Sequence, residues 1–301
     1  MDELRSMPVW RETLVTRVIQ ICGYSSILFV LLILYFLLSE GVPALWKTEL
    51  ASLLGTRWYP TESYFGIWPL VLGSVLITLG AALVAVPFGV GTAVYISEIA
   101  PRWTKELLKP LVELLAGLPS VVLGFLGIQV LVPFIRRFFD LPTGLTTLTG
   151  AVLLGMISIP TIVSVGEDAL NTVPKSYREA AMALGATRWQ PIWGVTVPAA
   201  RSGMITAVLL GMGRAMGETM AVMMVTGNAP VLPKGLDAFI SPIRTMTATI
   251  ASEMGEVAAG SVHYSVLFLI GIILFVIALV VNVVAFSLTS RKATRSERLL
   301  S

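Results

Sequence analysis

The chain has 301 residues, of which 55% are hydrophobic and 13% charged, about half the charge of an ordinary soluble domain. So few charges cannot cover a water-facing surface, whereas a lipid-facing one needs none, and composition points to the membrane. A single cysteine, Cys22, and a single histidine, His263, exclude an intrachain disulfide and a multi-histidine metal site. No metal or cofactor is expected, and a net charge of +3 without a basic block gives nucleic acid nothing to bind.

Six segments supply the roughly 20 apolar residues that a membrane helix needs: residues 18–38, 67–96, 111–135, 147–165, 202–226 and 264–288. The expected fold class is all-α and polytopic, with residues 1–17 as a cytoplasmic N-terminus, 18–66 as the first span and its external loop, 67–288 as the transporter core and 289–301 as a cytoplasmic tail. The first segment reads as an uncleaved anchor, because it exceeds a signal-peptide core and Leu38-Ser39-Glu40 offers no small-x-small cleavage site. Trp46, Trp58 and Trp68 flank the first external loop as expected interfacial anchors. Pro87, Pro119 and Pro160 interrupt the second, third and fourth spans, which is tolerated where neighbouring helices satisfy the freed backbone groups. With both termini inside, fourteen of the 21 Lys and Arg residues fall on the inner segments and six, including Lys234, on the outer ones. That bias sets the orientation.

The inner connection 166–200 is expected to hold a short helix over 175–184, a glycine turn at Gly185 and a second helix from about 187–189, with Pro191 in its first turn. Its letters run Glu179-Ala180-Ala181, three residues, Gly185, nine residues, then Val195-Thr196-Val197-Pro198. This spacing resembles the EAA signature of bacterial importer permeases, with valines in place of an isoleucine and a leucine. The resemblance implies a coupling helix, carried by Glu179, Ala180, Ala181 and Gly185, that docks on a separate ATPase. No G-x-x-x-x-G-K-[ST] phosphate loop occurs in the chain, so ATP hydrolysis is expected on a partner and no catalytic residue here.

The fifth span carries Arg214 and, four residues later, Glu218. An ionisable residue there costs kilocalories and marks function by default. On one continuous helix the two side chains share a face, either as a packing salt bridge or as an anion path in which Glu218 neutralises Arg214 while the site is empty. Gly211, Gly213 and Gly217 leave room beside them. The run from Gly213 to Val222, Gly-Arg-Ala-Met-Gly-Glu-Thr-Met-Ala-Val, is similar to the phosphate-specific (Pst) importer permeases of the PstC type. So are Ser97-Glu98-Ile99-Ala100-Pro101, Gly117-Leu118-Pro119-Ser120-Val121-Val122 and residues 247–256. The likeness covers the second span to the last. It implies a substrate path through Arg214, Glu218, Thr219 and Ser120. It also implies a second permease of the PstA type, two ATP-binding subunits of the PstB type and an external phosphate-binding protein of the PstS type. A permease for another oxyanion such as molybdate or sulfate, or an ion-coupled secondary carrier, are the alternatives.

Among weaker features, Ser158, Thr161 and Ser164 either line the path or bond their own backbone. Glu113 is read as interfacial, His263 as an interface residue, and Met223 and Met224 as packing. Residues 245–256 are expected to form a short helix at the outer surface.

Overall fold

A computed structural model describes residues 9–232 and 235–297; Lys234 and the extreme termini, with Arg5 and Arg298, lie outside the described residues. The architecture is all-α but for one two-stranded hairpin, β1 Trp58–Tyr59 against β2 Tyr64–Phe65. Five helical stretches are long and apolar enough to span: Thr13–Lys47, Trp68–Ile99, Ser120–Phe138, Thr147–Asn171 and Val262–Val284. The sixth is composite. Helix α12, Arg201–Gly217, passes the same test only together with Trp189–Ala199, which is bent 71° away from it.

The first span belongs to α1, Val9–Gly41, whose side chains from residue 13 to residue 40 are almost all exposed. It touches the bundle through the last helix, α15 (Val262–Glu297), where Phe36 and Phe268 meet edge to face at 5.4 Å. Helices α2 (Ala44–Lys47) and α3 (Leu50–Leu53) and the hairpin fill the connection to α4, Trp68–Val94. The centre of the bundle is α4 against α8, Thr147–Asn171. Small residues permit the approach: a Cβ built on Gly155 would lie 2.7 Å from Val84 Cβ, and one on Gly80 2.7 Å from Ala151 Cβ. Pro87 and Pro160 sit inside these two helices without ending them, as membrane helices tolerate.

Two expected spans are broken. Residues 111–135 do not form one helix: α5, Arg102–Ala116, ends before Gly117-Leu118-Pro119, and Ser120 opens α6, Ser120–Leu126, which continues through a π-turn at Gly127–Leu131 into α7, Val132–Phe138. Pro119 caps α6 in extended geometry, because a proline excludes the residue before it from the helical region and offers no N–H to the preceding turn. Similarly, α12 stops at Gly217. Glu218 is extended (φ −70°, ψ 131°) and a separate short helix, α13 (Met220–Val225), follows.

Three buried clusters stack along the bundle. One, around Trp58, Phe65, Leu70, Met246 and Leu267, lies at the end holding the hairpin. The middle one joins Ile77, Leu154, Ile157, Ala215, Val222 and Val225. The third, with Ala93, Leu170, Ile192 and Met204, lies at the end holding the 166–200 connection.

Candidate functional site

At the second end, Lys175–Ala183 forms α9, with no buried residue. It stops where Gly185 takes φ +88°. Gly185 N donates to Met182 O at 3.0 Å and Ala186 N to Ala181 O at 3.2 Å, the paired bonds of a Schellman cap that only glycine adopts without strain. Gln190 Oε1 accepts from Thr187 N at 2.8 Å, half of a capping box that starts the next short helix, α10 (Trp189–Pro191). A π-turn, Ile192–Thr196, and α11, Val197–Ala199, lead to the bend into α12. Glu179 and Ala180 are exposed and Ala181 half-buried, while Leu184, 90% exposed, and Tyr177 extend the same face.

Sequence reasoning missed the residues that hold this loop. Arg178, next to Glu179, points inward: its Nη2 pairs with Glu98 Oε1 at 2.5 Å and donates to Leu170 O at 3.2 Å, and its Nε donates to Thr196 Oγ1 at 3.2 Å. Glu98 lies in the π-turn Tyr95–Ile99 that ends the second span. The available signal was an acid at the end of an apolar run, which is expensive unless paired. Ser97 Oγ bonds Asn171 Oδ1, Asn171 Nδ2 donates to Glu167 Oε1, and Lys109 Nζ pairs with Glu167 Oε2 at 3.5 Å. Three helices and the loop therefore share one polar network.

Arg214 lies near the far end of α12, roughly 20 Å along the helix from its start at 1.5 Å per residue. It does not pair with Glu218. Its Nη1 donates to Thr161 Oγ1 on α8 at 3.2 Å and its Nη2 to Ala116 O at 3.0 Å, and it belongs to none of the ion pairs among the described residues. The expected shared face fails because the helix ends between the two residues. Glu218 instead caps the break: its Oε1 accepts from Thr219 N at 3.2 Å, and its carbonyl from Thr247 Oγ1 at 3.2 Å. Thr219 Oγ1 donates to Gly217 O. Ser120 opens α6 just beyond Ala116. Beside Arg214 the backbone is open, since a Cβ on Gly213 or Gly217 would meet nothing within 4 Å, whereas Gly211 faces Ile162 and the bundle. One side of α12 is thus packed and the other free.

Of the hydroxyls, Thr161 serves Arg214, and Ser158 Oγ is buried without a partner. Met224 packs against Gly124 and the middle cluster. Glu113 is exposed on α5. The 245–256 helix exists as α14, Met246–Glu253, capped by Thr245 Oγ1 on Ala248 N at 3.2 Å. One face of it is packed into the bundle, where Met246, Ala248 and Thr249 are fully buried and Met246 N donates to Ser74 Oγ, while Ala251 is exposed.

A further expectation is corrected here. Trp46 is 80% exposed as an anchor would be, and Trp68 45%, but Trp58 is 1% exposed and in the core. Its indole has a partner there: Trp58 Nε1 donates to Glu253 Oε1 at 3.0 Å. The same carboxylate pairs with Arg244 Nη1 at 2.8 Å and with His263 Nε2 at 2.7 Å. His263, one residue into α15, packs against the Trp58 and Phe65 rings.

The family model described as "Binding-protein-dependent transport system inner membrane component" matches residues 85–293. The chain is 44% identical over 242 residues to a probable ABC transporter permease protein, YqgH, of Bacillus subtilis, covering 80% of this chain and 77% of that one. It is 35% identical over 279 residues to the phosphate transport system permease protein PstC of Xylella fastidiosa, covering 84% and 85%. Among solved structures, a bacterial alginate ABC transporter matches with a TM-score of 0.62 at 16% identity, over 95% of this chain and 98% of that one. The MetNI methionine ABC transporter matches with 0.55 at 17%, over 75% and 94%. One fold thus serves an amino acid and a polysaccharide, and substrate must be argued from side chains.

Proposed function

The chain belongs to the family of binding-protein-dependent transport system inner membrane components, and from that premise we propose that it is a permease subunit of an ATP-driven importer of inorganic phosphate. It forms half of the path with a second, PstA-type permease. Of two PstB-type ATP-binding subunits, one docks on α9, and a PstS-type phosphate-binding protein docks at the hairpin end. Both termini and the 166–200 connection lie in the cytoplasm, and residues 228–263 lie outside. The chain itself catalyses nothing; nucleotide closure in the partners pushes α9 and switches the bundle between two states.

One observation carries the anion assignment. Arg214 is a guanidinium without a carboxylate partner among the described residues, held by neutral acceptors on α8 and α5 beside the open backbone of Gly213 and Gly217. A charge kept there uncompensated is costly, and a planar fork of N–H donors suits a tetrahedral oxyanion. Glu218 and Thr219, at the break in the fifth span, and Ser120, at the break in the third, are secondary path residues. The PstC-type relatives give phosphate precedence over sulfate or molybdate. The test is a charge swap, Arg214→Glu with Glu218→Arg, beside Arg214→Lys. Both variants should assemble with the partner subunits and fail to move phosphate. Full uptake by the swap would remove the anion contact from Arg214.

A further inference from the structure

We propose that α5 is a strut that ties the state of the 166–200 loop to the availability of Arg214, with Lys105 and Lys109 as its positioning residues. The proposal rests on the reading of Arg214 as an anion contact and adds how that contact is regulated.

The geometry links the two sites in one unbroken series. Arg178 on α9 grips Glu98 at 2.5 Å. The adjacent Ser97 bonds the Glu98 carboxylate through Oγ, and its carbonyl accepts from Lys105 Nζ on α5 at 2.6 Å. One turn further along α5, Lys109 reaches Glu167 on α8. At the other end of α5, Ala116 O accepts from Arg214 Nη2. That carbonyl is free for the arginine because α5 ends there and the N–H that a continuing helix would offer it, that of Ser120, lies beyond the break at Gly117-Leu118-Pro119, and a cation at a helix C-terminus is favoured by the helix dipole.

Three features make α5 the element able to move. It has no buried residue, so its displacement opens no core, which is the mark of a low-stability segment. Gly117 and Pro119 uncouple it from α6. Its basic side chains attach it to the turn and helix that hold the loop, not to lipid. Where α5 now stands, Thr161 Oγ1 and Ala116 O occupy the Nη1 and Nη2 groups of Arg214, respectively, the edge that a bidentate oxyanion needs. Withdrawing α5 takes away Ala116 O and frees Nη2. The protein thereby keeps its arginine satisfied while the path is empty, the role that sequence alone gave to Glu218.

The test uses the complete assembly in lipid, on a Cys22→Ser background. One spin-label pair joins Leu114 on α5 to Leu83 on α4, and a second joins Met182 on α9 to Leu83; all three positions are exposed. Distances are read by pulsed electron resonance with and without trapped nucleotide. Both pairs should shift in the otherwise unsubstituted protein. In Lys105→Met with Lys109→Met the α9 pair should still shift and the α5 pair should not, and Lys105→Arg with Lys109→Arg should restore it. An α5 pair that is static, or that still shifts in the double Met variant, overturns the strut, and so does an α9 pair that never shifts. No distance depends on which anion is carried, so failure here is separable from failure of the phosphate assignment, which uptake assays decide.

Discussion

Glu253→Ala should loosen the hairpin end of the bundle more than any neighbouring acid substitution. The carboxylate takes bonds from three segments, the hairpin (Trp58), the stretch leading to α14 (Arg244) and α15 (His263), at 3.0, 2.8 and 2.7 Å. Arg244 and Glu253 are each only 16% exposed, and Arg244 Nε is already buried without a partner. Breaking a buried ion pair by removing one member costs about 3–5 kcal/mol, since the other charge is left uncompensated. The residual exposure and the Arg244 Nη2 bond to Ser252 Oγ at 2.8 Å favour the lower end, so we expect about 3 kcal/mol. At about 2–4 °C per kcal/mol that is roughly 6–12 °C in melting temperature, read by thermal unfolding of the purified protein in detergent. Glu253→Gln keeps an acceptor for Trp58 but loses the charge, and should fall between. Glu256→Ala, at an exposed position three residues on, should stay within about 0.5 kcal/mol. Equal melting of Glu253→Ala and Glu256→Ala would refute the argument.

Gly155→Val should cost about 1–3 kcal/mol through overpacking against Val84, whereas Gly91→Ala, with nothing within 4 Å of the new methyl, should gain a few tenths to about 1 kcal/mol in helix propensity; the same melting assay compares them. Glu179→Lys and Gly185→Val should insert normally and abolish substrate-stimulated ATP hydrolysis by the assembly, and normal stimulation in a well-expressed double variant would contradict the docking role of α9. Single cysteines at Ala186 and Glu256, on the Cys22→Ser background, should be respectively shielded from and open to an impermeant thiol reagent in intact cells. The opposite pattern would invert the orientation.

Apolar runs and punctuation made most of this fold legible. The second and fourth spans stand close to where hydropathy put them, and the Gly185 turn was readable because a cap needs a particular residue at a particular place. The breaks in the third and fifth spans were less visible. Pro119 was read as a kink inside a span, but Gly117 and Pro119 together end one helix and start another. Nothing local in Gly217-Glu218-Thr219 announces an extended residue, and the break there is matched by a tertiary bond from Thr247 to the Glu218 carbonyl. Sequence spacing therefore paired Arg214 with Glu218, when its partners come from positions 53 and 98 residues away. The same limit hid Arg178–Glu98 and put Trp58 at an interface, since side chains that meet across the bundle leave no periodic trace in the chain.

On the function proposed above, this permease carries an oxyanion past Arg214, and that oxyanion is phosphate. Uptake of radiolabelled phosphate into vesicles holding the complete assembly, with ATP supplied to the α9 side and sulfate or molybdate in excess as competitors, tests it most directly. The account predicts ATP-dependent phosphate uptake that neither competitor suppresses and that Arg214→Lys strongly reduces. Uptake that sulfate or molybdate suppresses, or that Arg214→Lys leaves intact, would contradict it.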